Sequence, residues 1–110
     1  MAGISKAQII AYLDEHKFKH SNAGFPFIVD ILAEMAVGKV DRLNISKAYA
    51  IVAKRRETTK ENVEKCVRLA IKRSSCYLKT NKEFLCQAYD TLIMEEEEII
   101  PTETEQKKSD

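Results

Sequence analysis

Residues that bend or end regular structure are scarce in this chain, with three glycines and two prolines among 110 positions. A β-sandwich or barrel needs turn residues at short, regular intervals, so this scarcity excludes such folds and leaves helices joined by brief connections. Glycine-rich phosphate loops are absent with the glycines. The three cysteines, Cys66, Cys76 and Cys86, include no close pair of metal-ligand type. They read as free, buried thiols suited to a reducing cytoplasm. No apolar run approaches the roughly 20 residues of a membrane span, and the N-terminal MAGISKAQIIAYLDEHK is an amphipathic helix with acids, not a signal peptide. A cytoplasmic protein without membrane contact is the expectation. Catalytic groups are equally sparse. His16 and His20 flank the end of the first helix with no third ligand at metal spacing. Asp14 and Glu15 are sequence neighbours that point in different directions from a helix, and no cysteine has a positioned histidine. The chain is therefore expected to be no enzyme and to hold neither cofactor nor metal.

Excess charge of one sign is also missing overall: 18 basic residues face 17 acidic ones, which argues against a general affinity for polyanions. The distribution is uneven, however. Residues 95–110 hold seven acids against Lys107 and Lys108, whereas residues 39–79 hold 12 basic residues and four acidic ones. A basic body and an acidic tail are the expectation, with residues 1–94 forming one helical domain and residues 95–110 an acidic tail; after its four glutamates the sequence IIPTETEQKKSD loses periodicity, and disorder is expected from about Pro101. Folding of the four glutamates Glu95 to Glu98 back onto the basic helix, in competition with a polyanion, is a further idea this charge split raises.

What the chain does contain is helical periodicity. The first helix is expected over Ser5 to Lys17, with Ser5 and Gln8 as a capping box and Ile9, Ile10 and Leu13 turned inward. A second begins near Pro26, where a missing amide does no harm, carries Phe25, Ile28, Leu32, Met35 and Ala36 as its stripe, and stops at Gly38. Val40 to Leu43 forms a short connector. A last helix starts with a second capping box, Thr80 and Glu83, and buries Phe84, Leu85, Ala88, Leu92 and Ile93. With the two helices described next, the expected architecture is all-α, a compact bundle of five to six helices.

The most informative stretch is NISKAYAIVAKRRETTKENVEKCVRLAIKR, from Asn44 to Arg73. Ile45, Tyr49, Val52 and Ala53 lie along one face of its first helix, which Asn44 or Ser46 can cap. Glu57-Thr58-Thr59 breaks it, with Thr58 and Glu61 at capping-box spacing and Glu57 near the place where a turn glycine is usual. Val63, Cys66, Val67, Ala70 and Ile71 form the inward stripe of the next helix. Its opposite face holds Glu61, Lys65, Arg68 and Lys72, flanked by Lys60, Asn62 and Leu69. Small Ala53 opposite branched Val63 suits two helices crossing closely, the pattern of a helix-turn-helix with its reading helix at about 59–73. Lys60, Asn62, Glu64, Lys65 and Arg68 are then the candidates for approach to bases or nearby phosphates of double-stranded DNA. Lys54, Arg55, Arg56 and Lys72 are candidates for sequence-independent attraction.

The segment AYAIVAKRRETTKENVEKCVRLAIK resembles the C-terminal DNA-binding effector domain of the sporulation initiation response regulator of spore-forming Firmicutes, whose IAKK, TT, VER, IR and AI blocks recur at the same spacing. Ala23-Gly24-Phe25 ahead of an apolar helix is similar to that family's glycine-aromatic approach to its second helix. Thr80-Asn81-Lys82-Glu83-Phe84 is similar to the TN-x-EF start of its last helix. The resemblance spans roughly residues 20 to 94. It implies a sequence-specific transcriptional regulator of a bacterial cell, binding a short DNA box through the second helix of the helix-turn-helix as a homodimer or tandem copies. Glu64 and Arg68 match the family's VER and IR residues, and Lys65 replaces an arginine. Asn62 stands where the family has a DNA-reading arginine, and SSCYLK at 74–79 replaces a longer segment with an extra helix. A free-standing domain without a receiver, and hence without a phosphorylation switch, is expected. These departures, with outward-facing Leu69, motivate a second expectation: a protein-interaction module of the same fold that pairs with or antagonises a full-length regulator without reading DNA.

Overall fold

The computed structural model describes residues 4–38 and 44–99, so the expected connector from Val40 to Leu43 and the sequence from Ile100 onward lie outside the described residues. The described residues form five helices and no strand: α1 (Lys6–Glu15), α2 (Gly24–Ala36), α3 (Ile45–Arg55), α4 (Lys60–Lys72) and α5 (Asn81–Ile99). The all-α bundle read from periodicity is thus the observed architecture.

The central element is α2, against which all four other helices pack. Its sequence explains this placement. A helix apolar on nearly every side is stable only when surrounded, and Phe25, Phe27, Ile28, Val29, Ile31, Leu32 and Met35 are all buried. The single stripe expected from its sequence is therefore too narrow. Its N-terminus presses against α4 at Gly24, where an added Cβ would overlap the Cys66 carbonyl oxygen and lie 2.9 Å from the Ala70 Cβ. Glycine is what permits this close approach.

Local chemistry fixes the helix ends. Both halves of the Ser5–Gln8 capping box form, with the Gln8 amide donating to Ser5 Oγ at 3.1 Å and the Ser5 amide to Gln8 Oε1 at 2.8 Å. α1 stops at Lys17, which has φ +67°. Phe18 then donates its amide to the Leu13 carbonyl at 3.0 Å and Lys17 to Asp14 at 3.1 Å, a Schellman ending. That ending delivers Phe18 to the core, where its ring lies 4.9 Å from Phe84 of α5. Ser75, in the connection after α4, donates both its amide (3.0 Å) and its hydroxyl (2.8 Å) to the His16 carbonyl, tying that connection to the end of α1.

α5 begins with the Thr80–Glu83 capping box and buries Phe84, Leu85, Ala88 and Leu92. It runs through the acidic stretch to Ile99, since glutamate is a strong helix former. Glu96 accepts a hydrogen bond from Gln8 Nε2 at 3.2 Å, and Glu95 borders a small cleft with Gln8, Tyr12 and Glu15. These two glutamates lie against α1, which removes them from the proposed fold-back onto the basic helix.

Candidate nucleic-acid interface

The basic stretch of the sequence becomes α3, a short turn and α4, two helices packed on each other and both on α2. Asn44 caps α3, its side chain accepting from the Lys47 amide at 3.3 Å. Ile45, Ala48, Tyr49, Val52 and Ala53 face inward. The turn is a second Schellman ending: the Thr58 amide donates to the Ala53 carbonyl at 2.9 Å and the Glu57 amide to Lys54 at 3.3 Å. Glu57 has φ +56°. It thus holds the left-handed position that a glycine takes without strain.

The start of α4 differs from the expectation. Thr59, not Thr58, is the N-cap, its hydroxyl accepting from the Asn62 amide at 3.1 Å. The Schellman turn uses the Thr58 amide and leaves Thr59 as the first residue with extended backbone (ψ 156°), so the expected Thr58–Glu61 capping box does not form. Thr58 instead accepts from Asn62 Nδ2 at 3.0 Å, while the Cys66 thiol donates to Asn62 Oδ1 at 3.7 Å. Asn62 is exposed, yet both ends of its amide are engaged within the protein.

The inward ridge of α4 is Val63, Val67, Ala70 and Ile71, all at most 1% exposed. Burial of branched and small side chains at this spacing fixes the helix rotation, and so its polar side faces solvent. Glu61, Glu64, Lys65, Arg68, Leu69, Lys72 and Arg73 are exposed. The structure brings the candidate residues together but not on equal terms. Lys54, Lys65 and Lys72 project from the surface with no ion pair or hydrogen bond among the described residues. Arg68 lies 3.9 Å from Glu64, one turn earlier on the same exposed face. Lys60 donates to Ser46 Oγ at 3.0 Å, bridging the starts of α4 and α3.

Arg55 and Arg56 are exposed, but each is paired with a carboxylate of α2. Arg55 binds Glu34, and Arg56 Nε donates to Asp30 Oδ2 at 2.8 Å. Both carboxylates belong to α2 and are buried. Burial of a carboxylate demands a paired charge, so these guanidiniums serve the bundle first, and their charge is largely neutralised at source. Asp30 also holds the Arg56 pKa above its ordinary value, through the hydrogen bond first and the opposite charge second.

Beside α4 lies an open groove of about 530 Å³ that sequence reasoning missed. Tyr49 and Asn81 close its floor: Asn81 Nδ2 donates to the Tyr49 hydroxyl and to the Glu64 carbonyl, each at 3.1 Å. Burial pushes the Tyr49 pKa up, and the bond to Asn81 opposes this. The walls come from Arg68 and Lys72 on one side and Tyr77 to Lys82 on the other. The connecting segment has no periodicity to betray it, and its only sequence sign is an apolar pair, Tyr77-Leu78, next to lysines.

Elsewhere the charged groups are ordinary. His20 pairs with Asp14 at 2.7 Å and stacks on Phe25 at 4.2 Å, and His16 lies against Tyr12 at 4.4 Å. Of the three cysteines, all expected to be buried, Cys76 is buried and Cys66 and Cys86 are half-buried. Among the described residues, no three His, Cys, Asp or Glu side chains converge as a metal would need, and no helix is long and apolar enough to cross a membrane. No protein-family model matches the chain, and comparison with curated proteins and with solved structures finds no match.

Proposed function

We propose that α3, its turn and α4 are a helix-turn-helix, and that the protein is a DNA-binding transcriptional regulator whose reading helix is α4. The observation that carries this reading is the rotation of α4. Its apolar ridge is seated on α2 and α3, and that seating aims Lys65, Arg68 and Lys72 outward along one exposed face. A helix held from behind with cations in front is what entry into a major groove requires. The resemblance of residues 20–94 to sporulation effector domains supports the same reading. In it, Lys65 and Arg68 approach base edges or their flanking phosphates, Glu64 orients Arg68, and Lys54 and Lys72 add attraction independent of sequence. Lysine at 65 gives a point charge without arginine's bidentate fork, so guanine is read less sharply there.

Fluorescence anisotropy with duplexes selected from a random pool tests the proposal. Binding is expected to weaken as salt rises, with Arg68→Ala costing roughly 1–3 kcal/mol at a base contact. Binding indifferent to both salt and Arg68→Ala refutes it.

Two observations favour a second reading. Asn62, at the position where the family has a reading arginine, is tied to Thr58 and Cys66, while Leu69 on the outward face is 36% exposed. A protein-interaction module that antagonises a full-length regulator fits both facts. Capture of that regulator in a pull-down that survives nuclease supports this alternative, and capture that vanishes with nuclease counts against it.

A further inference from the structure

The loop between α4 and α5 leaves two large apolar side chains in solvent: Leu78 is 83% exposed and Tyr77 59%. Exposed apolar side chains on a fraying tail mean little, but this loop is fastened at its root. Ser75 is bound to the His16 carbonyl through both its amide and its hydroxyl. Cys76 is buried, with its amide donating to Ser74 Oγ at 3.0 Å. The Lys79 amide returns to the Cys76 carbonyl at 3.0 Å, so Tyr77 and Leu78 form the tip of a closed turn. That tip is one wall of the groove beside α4.

The charge of the groove identifies its occupant. Arg68, Lys72, Lys79 and Lys82 line it against a single carboxylate, Glu64, which already lies 3.9 Å from Arg68. The polar floor is satisfied internally by Asn81, Tyr49 and the Glu64 carbonyl, and the first turn of α5 is closed by Thr80 and Glu83. A ligand therefore meets cations together with Tyr77 and the apolar Ile45 and Leu78, not unfilled backbone groups. Arg68 and Lys72 belong at once to this groove and to the outward face of α4, so a polyanion lying along α4 continues into it.

We propose that this groove seats the sugar–phosphate backbone of one DNA strand alongside the major groove that α4 enters, with Lys79 and Lys82 neutralising phosphates and the Tyr77-Leu78 tip packing on the sugars. The proposal rests on the DNA-binding reading and deepens it, for it makes the loop and the start of α5 a second contact that fixes register without reading bases. Tyrosine and lysine are ordinary phosphate contacts, and contacts of this kind position a protein without carrying sequence information.

The test uses the full chain and four variants, Lys79→Ala, Lys82→Ala, the double lysine variant and Tyr77→Ser with Leu78→Ser, titrated against a selected duplex and a random duplex over a range of salt. Each neutralised phosphate contributes about 0.9 to the log–log salt slope. The double variant is expected to lower that slope by about 1.8 and to weaken binding roughly tenfold at moderate salt, equally for both duplexes. Tyr77→Ser with Leu78→Ser is expected to weaken binding a few-fold with the slope unchanged. All four side chains are exposed, so folding is preserved, and circular dichroism confirms it. Wild-type binding to DNA with slope and affinity unchanged in the lysine variants overturns this inference while leaving the α4 reading intact. Absence of wild-type DNA binding overturns both. Binding of an oligoglutamate peptide that depends on Lys79 and Lys82, with DNA unaffected by their loss, assigns the groove to an acidic protein and likewise overturns the proposal.

Discussion

Arg56 at the end of α3 and Asp30 in the middle of α2 are joined by a hydrogen bond of 2.8 Å, with the carboxylate side chain 2% exposed and the guanidinium 41%. The pair is asymmetric, and the asymmetry decides what its loss costs. Arg56→Ala leaves a buried carboxylate with only Lys6, 3.9 Å away and 64% exposed, as a counter-charge. Removing one partner of a fully buried pair costs 3–5 kcal/mol, and half-exposure of the arginine discounts this to about 2 kcal/mol. Urea unfolding should show that loss as a lower midpoint at constant m-value. A change below about 0.5 kcal/mol would mean that Asp30 is satisfied without Arg56. Because this pair and Arg55–Glu34 both pin the end of α3 to α2, the same variant should also weaken DNA binding by loosening the turn that aims α4.

Gly24→Ala sets two effects against each other. Alanine favours a helix over glycine by about 1 kcal/mol. Here, however, its methyl overlaps the Cys66 carbonyl oxygen, a backbone atom that cannot rotate away. Overpacking costs roughly 1–3 kcal/mol in cores that adjust through side chains, and more where backbone must move. The steric cost wins, and a net destabilisation of about 2 kcal/mol is expected by thermal or urea unfolding. A neutral or stabilising result would show that α2 and α4 are not in close contact at this point.

Glu57→Gly has the opposite sign. Glu57 sits at φ +56°, where a β-carbon costs roughly 1–2 kcal/mol. Glycine removes that strain and gives back part of the gain as greater freedom of the unfolded chain. A net stabilisation of about 0.5–1 kcal/mol is expected. Since Glu57 is exposed and acidic, the proposed DNA-binding function also predicts a slight rise in DNA affinity at low salt.

Acid should loosen the start of α5. The Thr80 backbone amide, then the Thr80 hydroxyl and the Lys79 ammonium, hold the Glu83 carboxyl below its ordinary 4.5. A depressed folded-state pKa means that the contribution is present above the unfolded value and is lost as pH falls through the folded one. Hydrogen exchange at the first-turn amides of α5, corrected for intrinsic rates, should therefore quicken as pH falls below the ordinary carboxylate range. Glu83→Gln should abolish that dependence, and a wild-type profile that stays flat throughout acid titration would exclude the cap.

Elements whose signal is local were legible in the sequence, and those that depend on distant partners were not. The Ser5–Gln8 and Thr80–Glu83 boxes and the inward ridge of α4 follow from spacing alone, and the structure contains them except that Cys66, expected in that ridge, is half-buried at its margin. The Thr58 cap was misassigned by one residue, because spacing says nothing of Glu57 in a left-handed conformation, which shifts the start of α4 to Thr59. Arg55 and Arg56 are exposed cations as their sequence reads, but their ion pairs are not legible locally, because the partners Glu34 and Asp30 lie 21 and 26 positions away. Two acids one turn apart on an otherwise apolar α2 were the available clue, since a buried carboxylate implies a cation from elsewhere. The groove beside α4 combines α3, α4, the loop and α5, and no single stretch announces it.

Asn62 supplies the sharpest test of how α4 is used. Its side chain is exposed and spans Thr58 Oγ1 at 3.0 Å and the Cys66 thiol at 3.7 Å. Restoring an arginine there by Asn62→Arg sacrifices two exposed hydrogen bonds, a loss of about 1 kcal/mol in stability. It also adds a cation one turn ahead of Cys66 and beside Lys65. If α4 lies in a major groove with its N-terminal residues toward the bases, the new guanidinium reaches a phosphate or a guanine edge. A phosphate contact steepens the salt slope by about 0.9. A bidentate base contact adds roughly 1–3 kcal/mol on the matching sequence and little on others. Anisotropy titrations on selected and random duplexes separate the two cases. A variant that folds yet gains neither slope nor affinity would place the start of α4 away from DNA, and the protein-interaction reading would then take precedence.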